Sequence, residues 1–284
     1  MAARPRSARS RLRSHCGLEA DGCVAMFEAQ LLDGTPLKKI LETLQGIVDE
    51  ANLDCSETAV SMQAMDNAHV ALVSLFLNSA GFDDFRCDRG ISLGFKVESM
   101  VKIFKCMDSK DSVTIRADDR PDSIHFVFEA PNTERLSEFE LKLMDIDSEH
   151  LAVPEQEYAV EVSMPANEFQ RICRDLSALG DTISVDASKD SIKFKVEGGI
   201  GAGTVALKQH VAVDEKKGEI PTTIKCSDPV ELQFAMNYFN NFAKASAVSK
   251  SVTIRLASAA PIMFEYSLGE LGHLQFFLAP KIEE

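Results

Sequence analysis

The stretch DSIHFVFE (122–129) returns 68 positions later as DSIKFKVE (190–197). A near-copy at that distance constrains the fold strongly, because self-similarity at a fixed period means repeated structural units. The likeness extends upstream. ISLGFKVESMVKIFKCMDSKDSVTIRADD precedes the first copy and YAVEVSMPANEFQRICRDLSALGDTISVDAS the second. Both read as strand, helix, strand, turn, strand. Fainter copies flank them, one from Phe27 to Leu77 and one from Thr222 to Tyr266. The four helices are expected to begin near Thr35, Glu98, Ala166 and Asp228, at separations of 63, 68 and 62 residues. A period near 65 gives four units, paired into two similar domains.

Within the copied strands the side chains alternate. Ile124, Phe126 and Phe128 face one way, with Ser123, His125 and Val127 opposite; Ile192, Phe194 and Val196 repeat that face against Ser191, Lys193 and Lys195. One wet face suits antiparallel sheet covered by helices on the other. The helices carry matching apolar stripes: Leu37, Ile40, Leu41, Leu44, Ile47 and Val48 in the first; Met100, Ile103, Phe104 and Met107 in the second. Phe169, Ile172, Cys173, Leu176 and Leu179 form the third stripe, and Leu232, Ala235, Met236, Phe239 and Phe242 the fourth. Pro36 suits a first turn, and Ser227-Asp228-Pro229 offers a cap followed by Pro. The expected class is α+β, two similar domains each with two helices on curved antiparallel sheet. The expected segments are a disordered Arg/Ser-rich extension (1–25), an N-terminal domain (26–142), a linker (143–157) and a C-terminal domain (158–284). The linker centre, DIDSEHLAVPEQE, is acidic and lacks a sustained period, so it reads as an extended surface connection.

Several function classes are disfavoured. No apolar run reaches the ~18 residues of a membrane span, so a soluble protein is expected. Seven scattered cysteines form no C-x-x-C pair, and six histidines show no metal spacing. No metal or cofactor is therefore expected. GGIGAG (198–203) hints at a phosphate loop, but it joins two strand patterns and reads as a hairpin. The extension 1–25 has no hydrophobic core of a secretory signal. It reads as a disordered tail, although its composition also resembles a transit peptide and Met26-Phe27 opens the first strand pattern.

Charge is the informative term. The net charge is −14; the first 25 residues carry +3 (five Arg against Glu19 and Asp21), so the rest carries −17. Yet basic pairs sit on three helices: Lys38 and Lys39, Lys102 and Lys105, Arg171 and Arg174. The fourth offers Lys244 with Asn237, Asn240 and Asn241. Taken singly these are ordinary solvated helix faces. On repeated units they fall on one common surface, which attracts phosphates without reading bases. No aromatic platform interleaves them, which argues against single-strand binding. Helices packed ~8–10 Å apart around a hydrated duplex, on a ring roughly 40 Å across, number about twelve. At four per chain, that number is compatible with three chains.

Dense markers run in order through residues 26–284: LKKILE (37–42), MDNAHVALV (65–73), FRCDR (85–89), FEAPN (128–132), LMDID (143–147), PEQEY (154–158), RICRDLS (171–177) and GHLQFFLAPKIEE (272–284). They resemble the proliferating cell nuclear antigen family, the eukaryotic sliding DNA clamps. The resemblance implies a closed head-to-tail homotrimer in the nucleus that encircles double-stranded DNA. It implies a non-enzymatic processivity factor for DNA polymerase, loaded by a separate ATP-driven clamp loader, that recruits replication and repair proteins through a short peptide motif. By the same resemblance Lys38, Lys39, Lys102, Lys105, Arg171, Arg174 and Lys244 face DNA, with Gln45 and Asn237 at two positions often basic in the family. The partner-peptide pocket corresponds to Met65, His69, Val70, Leu151, Val153, Pro261, Phe277, Ala279 and Pro280, with Phe277 where a Tyr is common. Phe139, Leu141, Thr204 and Ala206 fall at the subunit interface, on the strand patterns 135–142 and 200–208. Lys189 corresponds to the modified lysine. A protein-interaction scaffold without DNA binding would keep the pocket but would not need lysines on equivalent helix faces.

Overall fold

The computed structural model describes residues 26–131, 134–147, 156–209 and 220–281. One unit, strand–helix–strand–strand–strand, occurs four times. The first is β1 (Phe27–Leu31), α1 (Thr35–Leu44), β2 (Glu50–Cys55), β3 (Ala59–Met65) and β4 (Ala71–Asn78). A connecting strand β5 (Asp84–Cys87) leads to the second: β6 (Ile91–Lys96), α2 (Val97–Lys105), β7 (Ser112–Ala117), β8 (Ser123–Glu129) and β9 (Leu136–Lys142). The third is β10 (Val160–Pro165), α3 (Ala166–Ser177), β11 (Thr182–Ala187), β12 (Ser191–Gly198) and β13 (Gly201–Lys208). After β14 (Thr223–Cys226) comes the fourth: β15 (Val230–Ala235), α4 (Met236–Ala243), β16 (Ser251–Leu256), β17 (Ile262–Ser267) and β18 (Gly272–Leu278). The duplicated octapeptides are β8 and β12. Their Ile-Phe-Phe and Ile-Phe-Val faces are buried, at most 2% exposed.

The fold is α+β with antiparallel sheets, as the alternation requires. Two expectations fail. Ile47 and Val48, Met107 and Leu179, expected on the helix stripes, lie past the ends of α1, α2 and α3, where the chain turns toward the next strand. The fourth helix begins at Met236 and not near Asp228, because Val230–Ala235 forms β15, paired along its length with β11 from Thr182↔Ala235 to Ala187↔Val230. Leu232 and Ala235 therefore belong to a strand. Ser227-Asp228-Pro229 precedes that strand and caps no helix; the Ser227 N–H donates to the Ala159 carbonyl at 2.8 Å. The segment VELQFA carries both periods, and its pairing with β11 decides for strand. GGIGAG is a hairpin, with Gly198 opposite Gly201.

The strands form three sheets. The orders are β5-β1-β7-β8-β9, then β14-β10-β16-β17-β18-β4-β3-β2-β6, and β13-β12-β11-β15. The nine-stranded sheet crosses from one half of the chain to the other through β18 and β4, in register from Gly272↔Leu77 to Leu278↔Ala71. Helices α1 and α2 pack together, as do α3 and α4, and α1 touches the 3-10 turn Lys244–Ala247 that follows α4. The four helices thus form one continuous row over the sheets. No helix among the described residues is long and apolar enough to cross a membrane.

The core beneath this row is aromatic in both halves. Phe104 meets Phe126 and Phe128 edge-on at 5.3 and 5.4 Å. In the second half Phe264 contacts Phe169, Phe239 and Phe242 at 5.4, 5.1 and 5.6 Å. Such pairs contribute about 0.5–1.5 kcal/mol each beyond area burial. Tyr266 is fully buried here, and its hydroxyl has no hydrogen-bond partner among the described residues. A buried hydroxyl without a partner is a cost. Tyr266→Phe should therefore leave the thermal unfolding midpoint unchanged or raise it. A lowered midpoint would show that the hydroxyl is satisfied.

Candidate functional sites

The helix row carries the basic side chains, and local chemistry distinguishes them. Lys38, on the first turns of α1, donates from Nζ to the Met107 carbonyl at 2.6 Å in a part-buried contact. It satisfies backbone just past the C-terminal end of α2, where a cation is favoured. Lys102 pairs with Glu98 at 2.7 Å, one turn back on α2. Its hydrogen bond and charge hold the Glu98 carboxyl below its ordinary pKa. Arg171 and Arg174 both lean on Asp175, at 3.6 and 3.3 Å. Lys244, in the 3-10 turn, donates to Asn241 Oδ1 at 2.8 Å. No hydrogen bond or ion pair is found for the Lys39 and Lys105 side chains among the described residues; their charges act at longer range on Asp33 and Glu98. Exposed pairs such as Lys102–Glu98 contribute only about 0–1 kcal/mol, so a phosphate can displace the acid. Lys38 is different, since moving its ammonium uncovers a carbonyl.

The second site lies on the face of the nine-stranded sheet away from the helices. A cleft of about 510 Å³ is lined by Glu50, Asn52, Gln63, Met65, His69, Leu72 and Ile146, among others. Strand alternation builds it. Gln63 and Met65 share a face of β3, and Leu72 on β4 lies opposite Met65. Phe277 joins through its register with Leu72 and is 6% exposed. The Ala279 N–H donates to the Val70 carbonyl at 2.9 Å, which places the segment of Ala279 and Pro280 beside the loop of His69 and Val70. Pro261 is exposed just before β17, whose Ile262 pairs with Leu278. Leu151 and Val153 lie outside the described residues.

Two devices shape this cleft that sequence reasoning missed. The linker's first residues are strapped to the sheet edge at β6. The Met144 N–H donates to the Gly94 carbonyl at 2.9 Å, and Asn52 Nδ2 donates to the Ile146 carbonyl at 2.9 Å. A Cβ at Gly94 would stand 2.2 Å from the Met144 oxygen, so only glycine admits the strap. The other device is Asp66, 6% exposed. Its Oδ1 accepts from the N–H groups of Val70 and Ala71 at 2.9 and 2.7 Å, and its Oδ2 from Ala68 N–H and the Tyr238 hydroxyl at 3.2 and 2.6 Å. Burial works against its charge. The hydrogen bonds from Tyr238, Ala71, Val70 and Ala68 outweigh burial and hold its pKa below 3.8. Burial and the bond to Asp66 push Tyr238 up to about 12. A run such as DNAHV signals a turn, but nothing in it points to a tyrosine 172 residues away.

Two sheet edges complete the picture. β9 ends the five-stranded sheet and β13 the four-stranded one. Phe139 is half-buried with its ring 5.5 Å from Phe128, and Leu141 is buried. Thr204 and Ala206 are exposed. Along their outer sides both strands lack a strand partner among the described residues. Lys189 is exposed at the β11–β12 turn. Among the described residues no group of His, Cys, Asp and Glu is arranged to hold a metal.

The family comparison covers nearly the whole of this architecture. Residues 26–150 match the family model described as proliferating cell nuclear antigen, N-terminal domain, and residues 152–281 match the one for the C-terminal domain.

Two outcomes follow from the cleft. Gly94→Val should speed amide exchange at 144–146 while the α3 amides keep their protection; unchanged exchange at 144–146 would contradict the strap. Asp66 has a folded pKa below its unfolded 3.8, so its stabilisation is complete well above 3.8 and is lost as pH falls through the folded value. Between pH 5 and 2 the wild type should therefore lose more stability than Asp66→Asn. Parallel acid curves would contradict this.

Proposed function

The chain belongs to the proliferating cell nuclear antigen family of sliding clamps, and from that premise we propose that it acts in the nucleus as a homotrimeric ring around double-stranded DNA. In this reading the ring is the processivity factor for DNA polymerase, and the cleft receives short peptides of replication and repair proteins. It catalyses no reaction itself, and a separate ATP-driven loader opens and closes it.

The observation that carries the reading is the helix row. An acidic chain places Lys38, Lys39, Lys102, Lys105, Arg171 and Arg174 on three helices of that row and Lys244 in the turn after α4, and no ion pair is found for the Lys39 and Lys105 side chains among the described residues. Phosphates are held there electrostatically and without base readout, which is what sliding requires. The exposed β9 and β13 edges support closure. Pairing them head to tail between subunits satisfies both edges and continues the sheet around the ring. The cleft supports recruitment, since an apolar pocket rimmed by polar groups suits a helical turn with apolar and aromatic anchors.

The test is topological. Loaded on nicked circular DNA, the protein should survive a high-salt wash and be released when the circle is linearised. Equal loss from circular and linear DNA would contradict encirclement. Lys39→Glu with Lys105→Glu should keep the topological retention but lower the salt dependence of lateral contacts by about two counterions' worth. An unchanged salt dependence would count against the row as the phosphate-facing surface.

A further inference from the structure

Helix α4 belongs to the row of helices, yet one of its side chains reaches the loop beside the cleft. The Tyr238 hydroxyl donates to Asp66 Oδ2 at 2.6 Å, across the junction between the two halves. Asp66 in turn organises the loop. Its carboxylate binds the N–H groups of Ala68, Val70 and Ala71, its carbonyl accepts from His69 N–H at 3.0 Å, and its own N–H donates to the Ala71 carbonyl at 3.0 Å. Within this frame His69 takes a left-handed conformation, φ 56°. A non-glycine residue persists there only where its surroundings fix it. The loop presents His69 at the cleft and leaves Val70 exposed beside it, and the Val70 carbonyl anchors Ala279.

The two oxygens of Asp66 are not equally served. Oδ1 has two short backbone donors, whereas Oδ2 has the Tyr238 hydroxyl and one longer contact, Ala68 N–H at 3.2 Å. Removing the hydroxyl leaves a buried, charged oxygen short of its strongest donor. The carboxylate can recover solvation only by turning, which loosens its other bonds, or by opening the loop. We propose that Tyr238 is a positioning residue for the partner pocket. By holding the Asp66 carboxylate from α4, it fixes the loop that presents His69 and Val70 and so sets the pocket's affinity for a docked peptide. This rests on the peptide-pocket reading above.

The same helix supplies its own control. One turn on, Asn241 Nδ2 donates to the Gly46 carbonyl at 3.3 Å, a second tie to the first half that does not touch the loop. Tyr238→Phe keeps the ring, which lies 6.2 Å from Phe242, and removes only the donor. The experiment measures binding of a labelled synthetic peptide, one helical turn with aliphatic and aromatic anchors, by fluorescence anisotropy. Amide exchange at 68–71 is read on the free protein. Tyr238→Phe should weaken binding by about three- to tenfold and speed exchange at 68–71, while Asn241→Ala keeps wild-type affinity. Wild-type affinity and exchange in Tyr238→Phe would overturn the proposal. So would an equal loss in Asn241→Ala, which would assign the effect to the junction as a whole. If the wild type binds no such peptide, the pocket reading fails and this role with it. Whether Tyr238 holds the loop is still decided separately by the exchange measurement.

Discussion

The pairing of β18 with β4 is the interaction on which the rest depends. Seven residues of each strand lie in register, from Gly272 opposite Leu77 to Leu278 opposite Ala71. The pairing joins strands of the fourth unit to strands of the first and makes a single nine-stranded sheet. Its start demands glycine. Gly272 has φ 136°, and a Cβ there would meet the Phe76 carbonyl oxygen at 2.0 Å. Without this seam the two halves would be held by smaller contacts such as Tyr238–Asp66 and Asn241–Gly46. With it, the helix row is continuous on one side, and on the other β18 borders β4, which helps line the cleft with β2, β3 and the start of the linker.

The two surfaces follow different physics. In the proposed function the helix row needs charge but not shape, because phosphate attraction is long-ranged and indifferent to sequence. Its basic residues can therefore rest on Glu98, Asp175 and Asn241 and still be recruited by a stronger anion. The cleft needs shape, and it is over-determined accordingly. Gly94 admits the strap, Asn52 holds Ile146, and Asp66 ties down four donors.

Much of the fold was legible in the sequence. The repeat of DSIHFVFE as DSIKFKVE fixed the unit, and period-two burial in both copies gave the helix-covered face. The helix stripes were right within α1, α2 and α3, as at Leu37, Phe104 and Phe169, but ran past the helix ends at Ile47, Val48, Met107 and Leu179. The start of α4 was misread because VELQFA satisfies a helical stripe and a strand equally, and only β11 chooses between them. At the sites, charge on equivalent helices was readable, since a repeat maps like onto like. That Lys38 is turned to the Met107 carbonyl was not, because the carbonyl lies 69 residues away. Nor was the tie of Asp66 to Tyr238, which depends on a seam with no local signature.

The proposed ring requires the outer sides of β9 and β13 to pair between subunits. Native mass spectrometry at micromolar concentration measures this most directly. The account predicts one dominant species of three times the 31.2 kDa chain, without dimers or larger open polymers on dilution. A single chain at every concentration, or a ladder of growing oligomers, would contradict it.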